Sequence, residues 1–533
     1  MKSKKTLLAA LIIGGAALLA PFYGPGILAH AATPAGDDPD ASVKAITSAY
    51  ALVEQNFADP VASEKVFYDG AIPGMLHSLD PHSNFVPPLE YKEMMRRQRA
   101  QYAGVGMQIT MDGPKVIVME PFPGSPAANA DLRRGDVISA VDGKDTAGMN
   151  SAAVADLLRG AKGTQVRVSV RREGATDPYT ATVTRGTIET SVVDAFEVKP
   201  NVIYLGVSTF EASNIHDDVE NQMRKLNESK VSGVVLDLRG NLGGLVTEAV
   251  SLAGRFLRDK QTVVSQRGRV EQEQTYKAKA VSAAQNYPIV VLVDRNSASA
   301  SEIVSGALQD HDRAWIMGET TFGKGLVQAQ FPLNEGALLL TIAHYYTPSG
   351  RLIQRDYSHG SLYDYYSARP KADAPVATDD VKSTDGGRKV YGGGGITPDE
   401  KYASSRSNIF QRRLIPILGA PDAFYHFGDT YFGTKKPQLA ATWRPDVDTL
   451  QRFKEFLQSK KVTFTDAEFA ANKDWISDHI RYEMLFRAID RKTANVAARQ
   501  DDPEVQKAIE SMPKAKALLK DSTKVLAMRM AGQ

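Results

Sequence analysis

The 533-residue chain contains no cysteine. Disulfides, thiolate metal sites and a cysteine nucleophile are excluded together. Any nucleophile is then Ser, Thr, Lys or a carboxylate, and any metal site must use His and carboxylates. A surplus of charge is also missing. The 64 Lys+Arg and 62 Asp+Glu leave +2, and no basic excess is available to neutralise phosphates, which argues against nucleic acid as a partner. Beyond the first 20 residues no run of 18 apolar residues could span a bilayer, and no repeat of 20–50 residues is apparent. What is present is ordinary for globular proteins, 43% hydrophobic and 24% charged residues. The length suggests about three or four domains with a substantial core.

Lys2, Lys4 and Lys5 precede an uncharged apolar run, Leu7 to Ala20. Pro21 and Pro25 break any helix there, and Ala29-His30-Ala31 is an A-x-A cleavage triplet. The pattern predicts an export signal over residues 1–31, or a membrane anchor if it is not cleaved. The signal carries three lysines and no acid, so its removal takes the charge from +2 to −1. An exported protein of the bacterial periplasm or cell envelope is expected, and the absence of cysteine fits an oxidising compartment.

Residues 40–100 are expected to be helical, with Val43, Ile46, Tyr50, Val53 and Phe57 at helical spacing. His77 and His82 flank the turn Leu79-Asp80-Pro81-His82-Ser83 and read as ordinary polar groups rather than metal ligands. Residues 102–187 read as a small β-rich domain, with strands near 107–111, 116–120, 137–141, 166–171 and 179–184 and a helix over 152–158. Residues 188–400 alternate strands and helices. Continuous apolar runs such as Ile289-Val290-Val291-Leu292-Val293 predict a buried, largely parallel sheet. A polar excursion covers 370–395, and residues 401–533 form a helical extension in which Thr465-Asp466-Ala467-Glu468 is a capping box.

Three segments of the α/β region could carry chemistry. Asn296-Ser297-Ala298-Ser299-Ala300-Ser301-Glu302 follows a buried strand and opens a helix. A serine at such a turn is exposed beside helix N–H groups that favour negative charge, although Ser-rich N-caps are also common. Leu236-Asp237-Leu238-Arg239-Gly240-Asn241-Leu242-Gly243-Gly244 runs from a strand into a glycine-rich loop that can aim N–H groups at a carbonyl. Gly318-Glu319-Thr320-Thr321-Phe322-Gly323-Lys324-Gly325 nearly spells a phosphate-binding loop. Gly325 stands where Ser/Thr would hold magnesium, and the next segment, Val327 to Leu333, has the period of a strand, so a nucleotide site is not expected. A serine nucleophile needs a base. His216, His311 and His344 lie in segments without other site features, whereas Lys324 sits in a glycine-framed loop with Gln328 four residues on. For a lysine to serve near neutral pH its pKa must fall by roughly 3, which burial can supply. Ser511-Met512-Pro513-Lys514 matches S-x-x-K but lies in a polar tail and reads as chance.

The glycines of Gly104-Val105-Gly106-Met107, with Leu132–Ile138 and Val141-Asp142-Gly143, resemble a PDZ domain. Such a loop can form a nest for a peptide carboxylate while the next strand pairs with the peptide. With the leader, S-A-S-A-S-E-I, G-K-G-x-V-Q 25 residues on, L-D-L-R-x-N-x-G-G, Tyr346–Arg351 and Gly395–Asp399, the chain closely resembles the carboxy-terminal processing peptidases (tail-specific proteases) over about residues 40–400. The resemblance implies a multidomain α+β protein. It would have a crotonase-like (ClpP-like) α/β peptidase core, an inserted PDZ domain, and helical N- and C-terminal segments. It implies a serine endopeptidase with Ser299 as nucleophile, Lys324 as base and Gln328 assisting. The oxyanion hole would be the N–H of Ala300 with that of Gly244 or Gly243. Thr321, Glu302 and Asp310 match family positions with supporting roles, and Arg159 sits where some relatives sense the active state. No metal or cofactor is needed. Partners would be proteins with apolar C-termini, since Met107 and its strand would line an apolar pocket. Delivery by an adaptor protein and oligomer formation are left open. The other readings are a catalytically inactive PDZ scaffold that only binds peptides, and a hydrolase using His311 or His344 as base.

Overall fold

The computed structural model describes residues 39–99, 101–189, 191–270, 272–279, 286–358, 365–366, 380–403, 406–415, 421–433 and 438–531. The leader and positions 370–379 of the excursion lie outside these. The rest of the excursion holds a hairpin, Val381–Ser383 with Lys389–Tyr391. The chain divides into two units, up to Met75 and from Leu76. In the first, Pro39–Asn56 is helical, as the spacing predicts. Its stripe is not core, however, because Val43, Ile46, Val53 and Phe57 are exposed. Tyr50 alone gains partners, bonding Ser63 at 2.6 Å and meeting the Phe67 ring at 4.8 Å.

The second unit is built on a six-stranded sheet. Its order is Val193–Lys199, Val202–Val207, Gly233–Asp237, Ile289–Val293, Trp315–Gly318 and Glu400–Lys401. The first pair is antiparallel and every other pair parallel. Both faces are covered, which explains the unbroken apolar runs. Leu236, Val291 and Ile316 pack under the helices Ile215–Lys225, Val246–Phe256 and Ala300–Asp310. Val235, Val290, Leu292 and Met317 face the other way, against Val505, Ala508 and Ala515 of the helices Pro503–Glu510 and Met512–Ala531. The end of the C-terminal extension is therefore a layer covering the six-stranded sheet. Ser511 and Lys514 of the chance S-x-x-K match both bond Glu400 Oε2, at 2.9 Å, and help fasten that layer.

The strands expected at 327–333 and 337–346 form at Leu326–Leu333 and Gly336–Tyr346, but in a separate antiparallel sheet with Asn84–Val86, Thr262–Gly268 and Gln274–Lys277. Asn84–Val86 and Gln274–Lys277 are only three and four residues long, and Thr262–Gly268 has just Val263 and Val264 as apolar residues, so none carries a clear strand pattern. The β-rich segment folds around Val118, Leu132, Ile138, Val154, Val168 and Val183. The ribbon Gln101–Gly104 with Gly186–Glu189 closes it where it enters and leaves the chain. The helices Ile409–Leu414, Ala423–Phe432, Val447–Ser459 and Lys473–Ala488 enclose a second aromatic core of Phe424, Phe427 and Phe453. The Thr465 capping box forms, but the helix it opens ends at Ala471 and a new one starts at Lys473.

Candidate active site

Ser299 caps the helix Ala300–Asp310 where the chain leaves the buried strand Ile289–Val293. Its backbone lies at φ 54°, ψ −110°, a sparsely populated conformation for a residue with a Cβ. The surroundings over-determine it. Asp294 Oδ1 accepts from the N–H groups of Gly240, Asn296 and Ser297. Ser297 Oγ donates to Leu238 O, and Ala298 N–H and Ser301 Oγ both donate to Asn241 O. Tyr345 Oη donates to Ser299 O at 3.1 Å.

The glycine loop is pinned against this turn. Asn241 is fully buried. Its Nδ2 donates to Val207 O and its Oδ1 accepts from Gly243 N–H at 2.9 Å. Gly243 O accepts from Phe210 N–H, and Leu245 N–H donates to Phe210 O. A Cβ on Gly243 would stand 2.8 Å from Ser299 Cβ, and one on Gly244 2.1 Å from the Phe210 carbonyl carbon, at φ +147°. Both positions therefore require glycine. The expectation that either N–H could face the reacting carbonyl is corrected for Gly243, whose N–H is taken by Asn241. Among the described residues the N–H groups of Gly244 and Ala300 have no acceptor.

Lys324 lies in the loop after the strand Trp315–Gly318 and is followed by the strand Leu326–Leu333, so no helix N-terminus stands there to hold a phosphate. One buried carboxylate joins this loop to the serine turn. Glu302 accepts from Ser299 N–H at 2.8 Å, Lys324 N–H at 2.9 Å, Gly323 N–H at 2.6 Å and Thr321 Oγ1 at 2.5 Å. Burial raises its pKa against these four donors. Thr321 Oγ1 in turn accepts from Ile396 N–H, inside the Gly395–Asp399 motif. Lys324 Nζ donates to Gln328 Oε1 at 2.8 Å, and Gln328 Nε2 donates to His82 O at 2.7 Å. Burial pulls the Lys324 pKa below its ordinary value, against the opposing pull of Asp80 and Glu302. Lys324 Nζ and Ser299 Oγ are not hydrogen-bonded to each other.

Asp310 lies at the far end of the serine helix. It accepts from Arg351 Nη2 at 2.8 Å and Ser349 N–H at 3.0 Å, and so holds the Tyr346–Arg351 turn. His311 caps the same end, about 18 Å along the axis from Ser299 at 1.5 Å per residue. Its ring nitrogens meet Asp385 Oδ2 and Thr262 O. His344 Nδ1 is buried without a hydrogen bond, and no bond joins either ring to Ser299. Sequence patterns pass over His82 because its main-chain carbonyl is what holds Gln328, and no side-chain pattern reports that.

Gly104, Val105, Gly106 and Met107 line one end of a groove of about 240 Å³, with Ile109, Ala155 and Leu158 as apolar walls. Gly106, at φ +78°, presents its carbonyl to Phe122 N–H and Ser125 Oγ. The helix Pro88–Gln98 adds Glu93, Arg96 and Arg97 to the rim. Arg159 pairs there with Asp156 at 2.6 Å and Glu93 at 3.7 Å.

Residues 201–365 match peptidase family S41 and residues 117–172 match the PDZ domain. The carboxy-terminal-processing protease of Bartonella bacilliformis is 39% identical over 299 residues, covering 55% of this chain and 68% of that protein. The carboxy-terminal processing protease CtpB of Bacillus subtilis is 30% identical over 345 residues, covering 63% and 71%. The carboxyl-terminal-processing protease of Synechocystis is 36% identical over 305 residues, covering 56% and 70%. A serine held in a strained strand-to-helix turn, two free N–H groups beside it and a PDZ groove are thus found in a chain that belongs to peptidase family S41, a serine-type peptidase whose relatives are carboxy-terminal processing proteases.

Proposed function

We propose that the protein is an endopeptidase that cuts other proteins near their C-termini by a Ser299/Lys324 dyad. The observation that carries this is the Glu302 carboxylate, which ties the backbone of Ser299 to that of Lys324. It thereby fixes a nucleophile and a lysine in one frame. Neutral Lys324 takes the Ser299 proton as Oγ attacks the scissile carbonyl. The N–H groups of Ala300 and Gly244 receive the oxyanion, each such donor being worth about 3–4 kcal/mol. Lys324 then protonates the leaving amine, and water hydrolyses the acyl-enzyme. Gln328 accepts one Nζ–H and so turns the lone pair of the neutral amine away from itself. The groove at Gly104–Met107 captures the substrate carboxylate, raising the local concentration of the chain to be cut. Its Val105, Met107 and Leu158 walls favour an apolar last residue. The basic n-region, apolar run and A-x-A triplet of residues 1–31 support export. Among the described residues no helix is long and apolar enough to cross a membrane.

The test compares one protein substrate carrying an apolar tail as a free acid, as a C-terminal amide, and with Asp as its last residue. Loss of a charge-assisted hydrogen bond to the tail should lower kcat/KM about tenfold for the amide, with a similar fall for Asp, mostly through KM. Equal kcat/KM for all three would remove tail capture from the reading. A protein that binds the apolar tail but leaves every substrate intact would be the inactive scaffold.

A further inference from the structure

Resting on Lys324 as the base, we propose that His82, Tyr365 and Gln354 are positioning residues that close a ring of hydrogen bonds around it. The ring starts beside the lysine, where Gly325 N–H donates to Gln354 Oε1 at 2.8 Å. Gln354 Nε2 donates to Tyr365 Oη at 3.2 Å and to Arg355 O at 2.8 Å. Tyr365 Oη lies 2.8 Å from His82 Nε2. The His82 carbonyl receives Gln328 Nε2, and Gln328 Oε1 receives Lys324 Nζ. Three segments far apart in sequence thus meet in one circuit that starts and ends on the lysine's own loop.

The direction of each bond gives the ring its purpose. Both protons of the Gln354 amide are spent on Tyr365 and Arg355, so the Tyr365 hydroxyl accepts from Gln354 and its own proton goes to His82 Nε2. That leaves the imidazole neutral with its proton on Nδ1. Burial, followed by the charge of Lys324, holds the His82 pKa down to about 4, so it stays uncharged at neutral pH. The turn carrying its carbonyl is fixed by Asp80, which accepts from the N–H groups of His82 and Ser83 at 2.8 Å and from Ser83 Oγ at 2.6 Å. Ser83 Oγ also accepts from Thr341 N–H, on the strand Gly336–Tyr346. A carbonyl at this place can only accept. It therefore forces the Gln328 amide to point nitrogen toward His82 and oxygen toward Lys324. With the amide reversed, Nε2 would face the amine and Lys324 would lose its orienting acceptor. Packing supports the same arrangement, since the Tyr365 ring stands edge-on to His82 at 5.5 Å and to Phe322 at 5.7 Å, beside the Lys324 loop.

Tyr365→Phe, which loses only the hydroxyl, and His82→Asn, which also loses the imidazole packing, test this, since both keep the backbone carbonyl and break the side-chain link. The charged and titratable groups around Lys324 are Asp80, Glu302, His82, Arg355 and Tyr365, and neither variant alters the two carboxylates or the arginine. Each variant should lose about tenfold in kcat with KM within about twofold. The acidic limb of kcat/KM should move to higher pH, as water reaches Lys324 and restores its ordinary basicity. The double variant should be no worse than the poorer single one, because both cut the same ring. Lys324→Ala is measured alongside. If it retains activity, the base assignment itself is wrong. If it is inactive while Tyr365→Phe and His82→Asn keep the wild-type kcat and pH limb, or lose only thermal stability or KM, or combine additively, the ring has no positioning role.

Discussion

Ser299→Ala and Lys324→Met should each lower kcat by about four to six orders of magnitude, because members of a nucleophile–base unit fail together rather than additively. Cleavage of an apolar-tailed protein, followed by mass spectrometry, reads this directly, and full activity in either variant would sink the dyad. The two variants should differ in stability. Burial lowers the Lys324 pKa in the folded protein below its ordinary value. A group depressed in this way contributes stability above its unfolded pKa and loses it as pH falls through the folded one. Below that unfolded value the buried lysine is therefore a cost that Lys324→Met removes. Its Tm at pH 7 should equal or exceed that of the wild type, with the gap closing as pH rises past the ordinary lysine range. The same lowered pKa makes the wild-type kcat/KM climb with pH as Lys324 becomes neutral. Ser299→Ala keeps the strained backbone at φ 54° and gains nothing. Ser299→Gly is equally inactive but should be about 1 kcal/mol more stable than Ser299→Ala, since only glycine adopts that conformation without a Cβ penalty. Equal melting points for Ala and Gly at 299 would show that the turn stores no strain.

Which features are legible in the sequence depends on the chemistry each one uses. Ile289–Val293 and Gly233–Asp237 can be read as central strands because both faces are buried, and unbroken apolar runs admit little else. The serine-rich turn and Lys324 stand out because polar side chains at strand ends are legible by type, but only the family resemblance singles out Ser299 among its neighbouring serines. The choice between Gly243 and Gly244 is not legible. It turns on the Asn241 side chain, which consumes one of two chemically identical N–H groups. His82 is hidden for a related reason, since its main-chain oxygen does the holding. The C-terminal helices give no sign that Val505, Ala508 and Ala515 roof the catalytic sheet. An apolar helical stripe says that something is covered and not what.

Removing the carboxylate of Glu483 should cost about 3–5 kcal/mol, the penalty for stranding a buried charge. Arg134, in the turn before the strand Val137–Val141 of the PDZ domain, reaches into the C-terminal helices and meets Glu483 in a two-pronged pair at 2.8 and 2.7 Å. The two side chains are 12% and 4% exposed. The guanidinium lies 4.5 Å from the ring centres of both Tyr425 and Phe486. Arg487 braces the same carboxylate at 2.6 Å, bonds Asp429 and donates to Tyr425 O, while Tyr425 Oη donates to Val118 O. Glu483→Ala leaves Arg134 with no carboxylate, whereas Arg487 keeps Asp429. The loss should therefore appear as separation of the PDZ domain from the helices, seen as a lower Tm and faster proteolysis between them. Arg134→Met with Glu483→Leu should restore most of it, since a buried pair replaced by apolar side chains of similar size is often neutral; a double variant as unstable as Glu483→Ala would mean the helices dock by some other contact. Burial alone would raise the Glu483 pKa, but Arg134 and Arg487 more than reverse it. A carboxylate so lowered contributes its stability above the ordinary glutamate range and loses it as pH falls through the folded value. Docking should accordingly hold at neutral pH and weaken in acid, and in Glu483→Ala that acid-sensitive part should be gone.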